Sequence, residues 1–175
     1  CSRCHCSNLA DTYCPYRHLF DWLGEKMSTI VVRPIQLEDQ QEWLRMRLAL
    51  WPETSAGEHQ AEMDEIFSDP MQPVFVAVGK DGKLGGFLEA GTRKYAEGCE
   101  TRPVGYIEGW YVDEDLRGQG IGKSLVMAAE DWARSQGLTE MASDTWVENE
   151  GSIQAHLKLG YEEVERAVHF AKKLD

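Results

Sequence analysis

The sequence predicts an α/β fold in which a mixed central β-sheet carries helices on both faces. Two observations lead there. From Met27 onward, short apolar runs of strand character alternate with stretches whose apolar residues recur every three or four positions. A turn with three glycines in five positions, Gly118, Gly120 and Gly122, then joins an apolar strand to the start of an amphipathic helix. With 175 residues, 42% hydrophobic and 27% charged, the chain has the size and balance of one ordinary domain with its own core.

The elements follow in order. Ile30–Pro34 is a first strand. Asp39–Leu50 is a helix, with Trp43, Met46, Arg47 and Leu50 at helical spacing, and Trp51-Pro52 ends it as a proline should. A second helix spans about Glu58–Phe67. Val74–Val78 and Leu84–Thr92 are strands joined by the Asp81-Gly82 of a tight hairpin turn. Arg93–Pro103 is a loop. Val104–Val112 is the next strand, and Gly109 inside it points to a bulge or a close backbone approach. Ile121–Gln136 is a helix with Gly137 as its C-cap. Glu140–Thr145 is a strand, Gly151–Leu159 a helix closed by Gly160, and Glu162–Ala171 a terminal strand pair or hairpin.

Charge and cysteine usage narrow the function classes. Eighteen basic against thirty acidic residues leave a net charge of −12. A nucleic-acid partner is excluded, because nothing supplies the basic face that displaces counterions. An acidic surface either attracts cationic ligands or simply keeps the protein soluble, and composition does not separate the two. No apolar run approaches the ~18 residues of a membrane span, so no membrane partner is expected and the location reads as cytoplasmic.

Four of five cysteines, Cys1, Cys4, Cys6 and Cys14, crowd the start of the chain. Residues 1–26 therefore read as a leader, non-native or disordered, from upstream or vector sequence, with Met27 as the natural start and 27–175 as the domain. A short helical turn is expected around His18–Leu23. The alternative for the leader is a zinc knuckle using those cysteines with His5 and His18, although the usual pair of CxxC hooks is missing.

The glycine-rich turn separates three kinds of phosphate loop. A dinucleotide fingerprint fails because its third glycine is Lys123, and a P-loop fails because its opening glycine is Arg117. Arg117-x-x-Gly120-x-Gly122, after an apolar strand and before an amphipathic helix, resembles the acetyl-CoA pyrophosphate loop of the GNAT acetyltransferases. The element order over 27–175 and the ending Leu159-Gly160-Tyr161 are similar too. Within that superfamily, five segments resemble the aminoglycoside 6'-N-acetyltransferases. They are Leu50-Trp51-Pro52, Tyr95–Cys99, Ile107–Val112, Met141–Thr145 with Glu148-Asn149, and Glu162–Arg166.

The resemblance implies a site. Trp51 and Tyr95 would wall the aminoglycoside, and Glu108, Asp144 and Glu165 would bind its ammonium groups. Backbone amides of Trp110, Tyr111 and Val112 would hold the acetyl and pantetheine arm. Arg117, Gly118, Gln119, Gly120, Ile121, Gly122 and Lys123 would hold the pyrophosphate at a helix start, where free N–H groups and the dipole favour an anion. Asn149 would bond the pantetheine. Each residue also has a plainer role: Trp51 as a core tryptophan, Asp144 as a turn residue, Glu165 as a solvated charge.

The amine would attack the thioester directly, with no metal required. A backbone N–H near Tyr111, freed by a bulge, would stabilise the oxyanion, and Glu108 or Asp144 would accept the amine proton. Many relatives place a tyrosine as general acid seven residues after the asparagine; here His156 stands there, which leaves the acid open between a proton donor and a packing residue. Gln154 lies on the same helix. A homodimer is expected by resemblance. Two rivals remain: an acetyltransferase for another amine, such as a polyamine, a small metabolite or a protein N-terminus, and a protein that senses acetyl-CoA without turnover.

Overall fold

Five strands form one sheet in sequence order in the computed structural model, which describes residues 30–174. They are β1 (Val31–Pro34), β2 (Val74–Val78), β3 (Leu84–Arg93), β4 (Val104–Val112) and β5 (Met141–Ser143). Neighbours run antiparallel from β1 to β4, while β5 runs parallel to β4. The helices are α1 (Gln40–Leu50), α2 (Ala56–Ser68), α3 (Ile121–Ser135) and α4 (Glu150–Lys158), with 3-10 turns at Leu37–Asp39 and Glu114–Leu116. The mixed sheet and the helix positions agree with the sequence expectation. The leader, with its zinc alternative and its turn at His18–Leu23, lies outside the described residues.

Strand alternation sends side chains to two cores. Phe75, Ala77, Leu88, Ala90 and Ile107 face α3, whose Ile121, Leu125, Val126 and Ala129 repeat every three or four residues to meet them. Val74, Val76 and Phe87 face α1 and α2 through Trp43, Met46 and Met63. Helices therefore cover both faces of the sheet. Ser55 caps α2, accepting from Glu58 N–H while the Glu58 carboxylate accepts from Ser55 N–H, so the turn after Trp51 has a fixed exit.

The second core contains an ion pair. Glu89 on β3 is 4% exposed and Arg47 on α1 is 3% exposed. Glu89 Oε1 accepts from Arg47 at 2.8 Å and from the Trp43 indole at 2.8 Å. Arg47 also donates to His59 Nδ1 at 3.2 Å and to Glu62. Arginine has only donors, so His59 Nδ1 accepts and Nε2 carries the proton, which it donates to the Trp51 carbonyl at 3.2 Å. Burial pushes the Glu89 carboxyl up to about 7, and Arg47 and Trp43 oppose that rise. The network joins α1, α2 and β3 at one point beneath Trp51.

Two expectations fail in the fold. The Glu140–Thr145 strand shrinks to three residues, because β5 pairs with β4 only at Gly105–Met141, Tyr106–Ala142 and Ile107–Ser143. The terminal strand pair at Glu162–Ala171 is not formed; residues 159–174 carry no strand. Their alternating apolar side chains, Val164, Val168, Phe170 and Leu174, are exposed. A strand needs a neighbour for its N–H and C=O groups, and this segment has none within the described chain.

Removing one member of the buried pair leaves the other uncompensated. Glu89→Ala should therefore lower unfolding free energy by about 3–5 kcal/mol in chemical denaturation, whereas the double change Arg47→Met with Glu89→Leu should recover most of that loss.

Candidate active site

The bulge expected near Gly109 sits at Glu108. β3 and β4 pair as Glu89–Gly109 and then Ala90–Ile107, so Glu108 is one extra residue on β4. The extra residue resets the alternation. Tyr106 precedes Glu108, Gly109 and Tyr111 follow it, and all four lie toward the α1–α2 side. Gly109 also shows the close approach: a Cβ there would stand 2.4 Å from Cη2 of Trp51. The missing side chain admits the Trp51 ring onto β4 beside Glu108. Trp51 is the residue that ends α1, and the Arg47 guanidinium lies 4.9 Å from its ring centroid.

Pairing with β5 stops at Ile107, so β4 opens away from its parallel neighbour from Glu108 onward. Asp113 N–H donates to Gly85 on the β3 side. Strand amides alternate in direction, so the N–H groups of Trp110 and Val112 point to the open edge and that of Tyr111 points to β3. The free N–H groups near Tyr111 are those of its two neighbours. The Tyr111 ring itself packs against Phe87 at 6.2 Å between centroids.

The open edge leads to the glycine-rich turn. Gly118 and Gly120 have φ of 77° and 84°, left-handed values that suit glycine, and Gly120 caps α3. Ser124 N–H to Gly120 O is the first bond of the helix, which leaves the amides of Ile121, Gly122 and Lys123 free at its positive end. A Cβ at Gly118 or Gly120 would meet nothing within 4 Å, so the turn borders open space. Arg117 folds back, its Nε donating to Val112 O at 3.0 Å, and the Gln119 amide donates to Asp115 O at 3.2 Å. Gly122 has another reason to be glycine: a Cβ there would lie 2.7 Å from the Trp110 ring. The turn thus fits a pyrophosphate, and the unpaired edge of β4 lies between it and the end of β5.

Asn149 caps α4, its Oδ1 accepting from Ser152 N–H at 3.1 Å, which leaves its amide NH2 group to donate. His156 stacks edge-on between Trp110 at 5.2 Å and Tyr161 at 5.5 Å. Its Nδ1 donates to the Ser152 carbonyl at 2.8 Å, while Nε2 is buried without a partner. In this tautomer Nε2 carries a lone pair and no proton. Trp110 Nε1 is likewise buried and unpartnered.

On the α1–α2 side, acidic groups converge. The Tyr106 hydroxyl donates to Asp144 at 2.6 Å, just past the end of β5. Burial and the Asp144 carboxylate hold the Tyr106 phenol above its ordinary range, so it stays a donor. Glu108 lies over Gly91, where a Cβ would be 3.7 Å from its Oε1, and it accepts from Arg93. Trp51, Glu108 and Asp144 therefore share one surface. Tyr95 is 59% exposed on the following loop with Arg102 near its ring, and Glu165 is exposed on the tail, where Val164 lies beside Gly98 of that loop. Among the described residues neither shares a hydrogen bond, ion pair or ring contact with the other three.

Sequence reasoning missed Tyr106, Arg93 and Glu89. Glu89 stands in Leu88-Glu89-Ala90 much as Glu108 stands in Ile107-Glu108-Gly109, so the test that singled out Glu108 would have found it. Tyr106 is two residues before Glu108, on the same face. A hollow lined by Gly79, Asp81, Lys83, Gly85, Asp113 and Leu116 lies elsewhere and includes none of these residues.

Comparison with known proteins gives a consistent set of relatives. A family model described as "Acetyltransferase (GNAT) family" matches residues 41–161. An aminoglycoside N(6')-acetyltransferase type 1 of Klebsiella aerogenes is 45% identical over 84% of this chain and 99% of its own length. One of Serratia marcescens is 43% identical over 75% of this chain and 91% of its own. Among solved structures, AAC(6')-Iy in complex with the bisubstrate analog CoA-S-monomethyl-acetylneamine superposes with a TM-score of 0.79. It is 34% identical, over 84% of this chain and all of that one. The aminoglycoside 6'-N-acetyltransferase AAC(6')-Ih of Acinetobacter baumannii gives 0.78 at 33% identity, over 83% and 99%.

The two close glycine contacts separate the two halves of the site. Gly109→Ala must shift Trp51 and should raise KM for the ligand held there by about tenfold, with the acetyl-CoA KM unchanged. Gly122→Ala must shift Trp110 and should show the reverse split in steady-state kinetics.

Proposed function

The chain belongs to the GNAT acetyltransferase family, and from that premise we propose that it transfers the acetyl group of acetyl-CoA to the 6'-amine of aminoglycoside antibiotics, conferring resistance. The observation that carries this reading is the convergence of Trp51, Glu108 and Asp144 on one surface beside the opened edge of β4. An aminoglycoside offers several ammonium groups on sugar rings, which suits carboxylates next to an aromatic face. Relatives that cover nearly their whole length against this chain carry the same named activity.

Acetyl-CoA supplies the acetyl group in activated form, as a thioester. The chain's residues do the rest. The free amides of Ile121, Gly122 and Lys123, with Arg117, Gly118, Gln119 and Gly120 around them, hold the pyrophosphate at the start of α3. The Asn149 amide NH2 group bonds the pantetheine. Glu108 and Asp144 draw the substrate ammonium groups in, and one of them accepts a proton, directly or through water, so that the amine has a lone pair. Tyr106 holds Asp144 in place. One of the two N–H groups on the open edge, that of Trp110 or of Val112, would stabilise the oxygen that gains charge as the amine nitrogen bonds to the thioester carbonyl carbon. The C–S bond then breaks, the new amide nitrogen gives up a proton, and the coenzyme A thiolate leaves and takes up a proton from water. Most of the acceleration comes from this placement. Tyr95 and Glu165 complete the acceptor wall when their segments close on the ligand.

The reading extends to assembly and place. Val168, Phe170 and Leu174 are 78%, 93% and 85% exposed. Apolar groups left in water gain by burial, which supports a homodimer that covers the tail. A cytoplasmic location fits the supply of acetyl-CoA. Among the described residues no helix is long and apolar enough to cross a membrane.

Thiol release from acetyl-CoA by the full chain tests the activity. Kanamycin and tobramycin should turn over, and a matched compound with hydroxyl in place of the 6'-amine should not. Asp144→Asn should lower kcat/KM with tobramycin by about a hundredfold. Turnover of a polyamine that survives Asp144→Asn, with none of the antibiotics, would overturn the reading in favour of another acceptor. A sedimentation mass of one chain at micromolar concentration would overturn the dimer.

A further inference from the structure

The acceptor surface already holds a cation of its own. Arg93 ends β3, and its Nε donates to Glu108 Oε1 at 3.0 Å while its second guanidinium arm reaches Oε2. The Arg93 Cζ lies 3.3 Å from the centroid of the Tyr106 ring, whose hydroxyl bonds Asp144. Arg93 therefore meets one carboxylate by a two-point contact, an aromatic face below, and the field of a second carboxylate beyond it. Those are the groups that would receive a substrate ammonium. Glu108 holds the guanidinium charged, above its ordinary range, with the Tyr106 and Asp144 side chains adding to the effect.

The arrangement is built to give way. The Arg93 and Glu108 side chains are 43% and 36% exposed, and an ion pair this wet is weak. The guanidinium sits at the end of a strand with water on one side, so it swings out at the cost of side-chain contacts and no backbone change. A ligand with several ammonium groups can repay that loss at Glu108 while its other charges gain at Asp144. A singly charged amine meets the same displacement cost and gains at one point only.

We infer that Arg93 is an internal competitor for the acceptor's ammonium: it occupies Glu108 in the free enzyme, is displaced when the aminoglycoside binds, and so lowers the affinity for any ammonium at Glu108 by the cost of that displacement. The inference rests on Glu108 being an acceptor ligand, as in the proposed function. It adds a residue of the acceptor site that acts against ligand binding, by competing for Glu108.

Calorimetric binding of tobramycin and of a singly charged amino sugar to the full chain tests it, using Arg93→Gln, Glu108→Gln and the double variant. Thermal melting and acetyl-CoA affinity serve as folding controls. Arg93→Gln should tighten tobramycin about three- to tenfold, the amount expected for losing an exposed ion pair and its ring contact. A singly charged amine that binds at Glu108 should tighten by about the same factor. Glu108→Gln should weaken tobramycin, and adding Arg93→Gln to it should change nothing further.

Arg93→Gln that leaves tobramycin affinity unchanged or weaker, while Glu108→Gln weakens it, overturns the competition and spares the acceptor site. Tightening that persists undiminished in the double variant also overturns it, because the effect is then general repulsion. Glu108→Gln with no effect on tobramycin removes Glu108 from the acceptor site, and the inference falls with it.

Discussion

The buried pair of Arg47 and Glu89 is the constraint on which the site depends. Two charges taken out of water must satisfy each other and every remaining donor and acceptor, or the fold loses several kcal/mol. That demand recruits Trp43, His59 and Glu62, and it fastens α1 and α2 to the middle of β3. Trp51 is held by both members of the network that reach it: Arg47 beneath the ring and His59 at the backbone carbonyl. An aromatic wall that would otherwise hang from the end of a helix thus inherits the rigidity of the core.

One extra residue in β4 converts that scaffold into a site. Without the bulge at Glu108, strict alternation would send Gly109 and Tyr111 to the opposite face from Tyr106 and Glu108. With it, the carboxylate, the glycine that admits Trp51 and the tyrosine all face the same way. β4 also parts from β5 at this point, so backbone amides that would be used in the sheet become available to a ligand. The two halves of the proposed reaction meet where the strand is irregular.

Charge follows the same economy. The net charge of −12 favours approach of a polycation from any direction, but an acidic surface alone does not discriminate. Discrimination needs carboxylates at fixed separation, and these are fixed here by neutral or cationic partners: Tyr106 for Asp144 and Arg93 for Glu108. The guanidinium that steadies Glu108 is also the group a substrate must replace. Preorganisation and self-competition are two consequences of one contact.

The helices, the four longer strands and the glycine-rich turn were legible in the chain, because period, proline and glycine act through local backbone geometry. Gly109 announced an irregularity for the same reason. Residues that one segment motif carries, such as Gly118, Gly120 and the free amides after them, could be placed without a fold. The Arg47–Glu89 pair could not, since its members are 42 positions apart and nothing local to either names its partner. Arg93, at the edge of a loop, gained meaning only from Glu108 fifteen residues on. The failed terminal strand pair shows the converse: alternation after Glu162 states what the segment can form, and only a neighbouring strand decides whether it does. Local geometry is written in local sequence, whereas burial, pairing and the meeting of distant charges are properties of the folded chain.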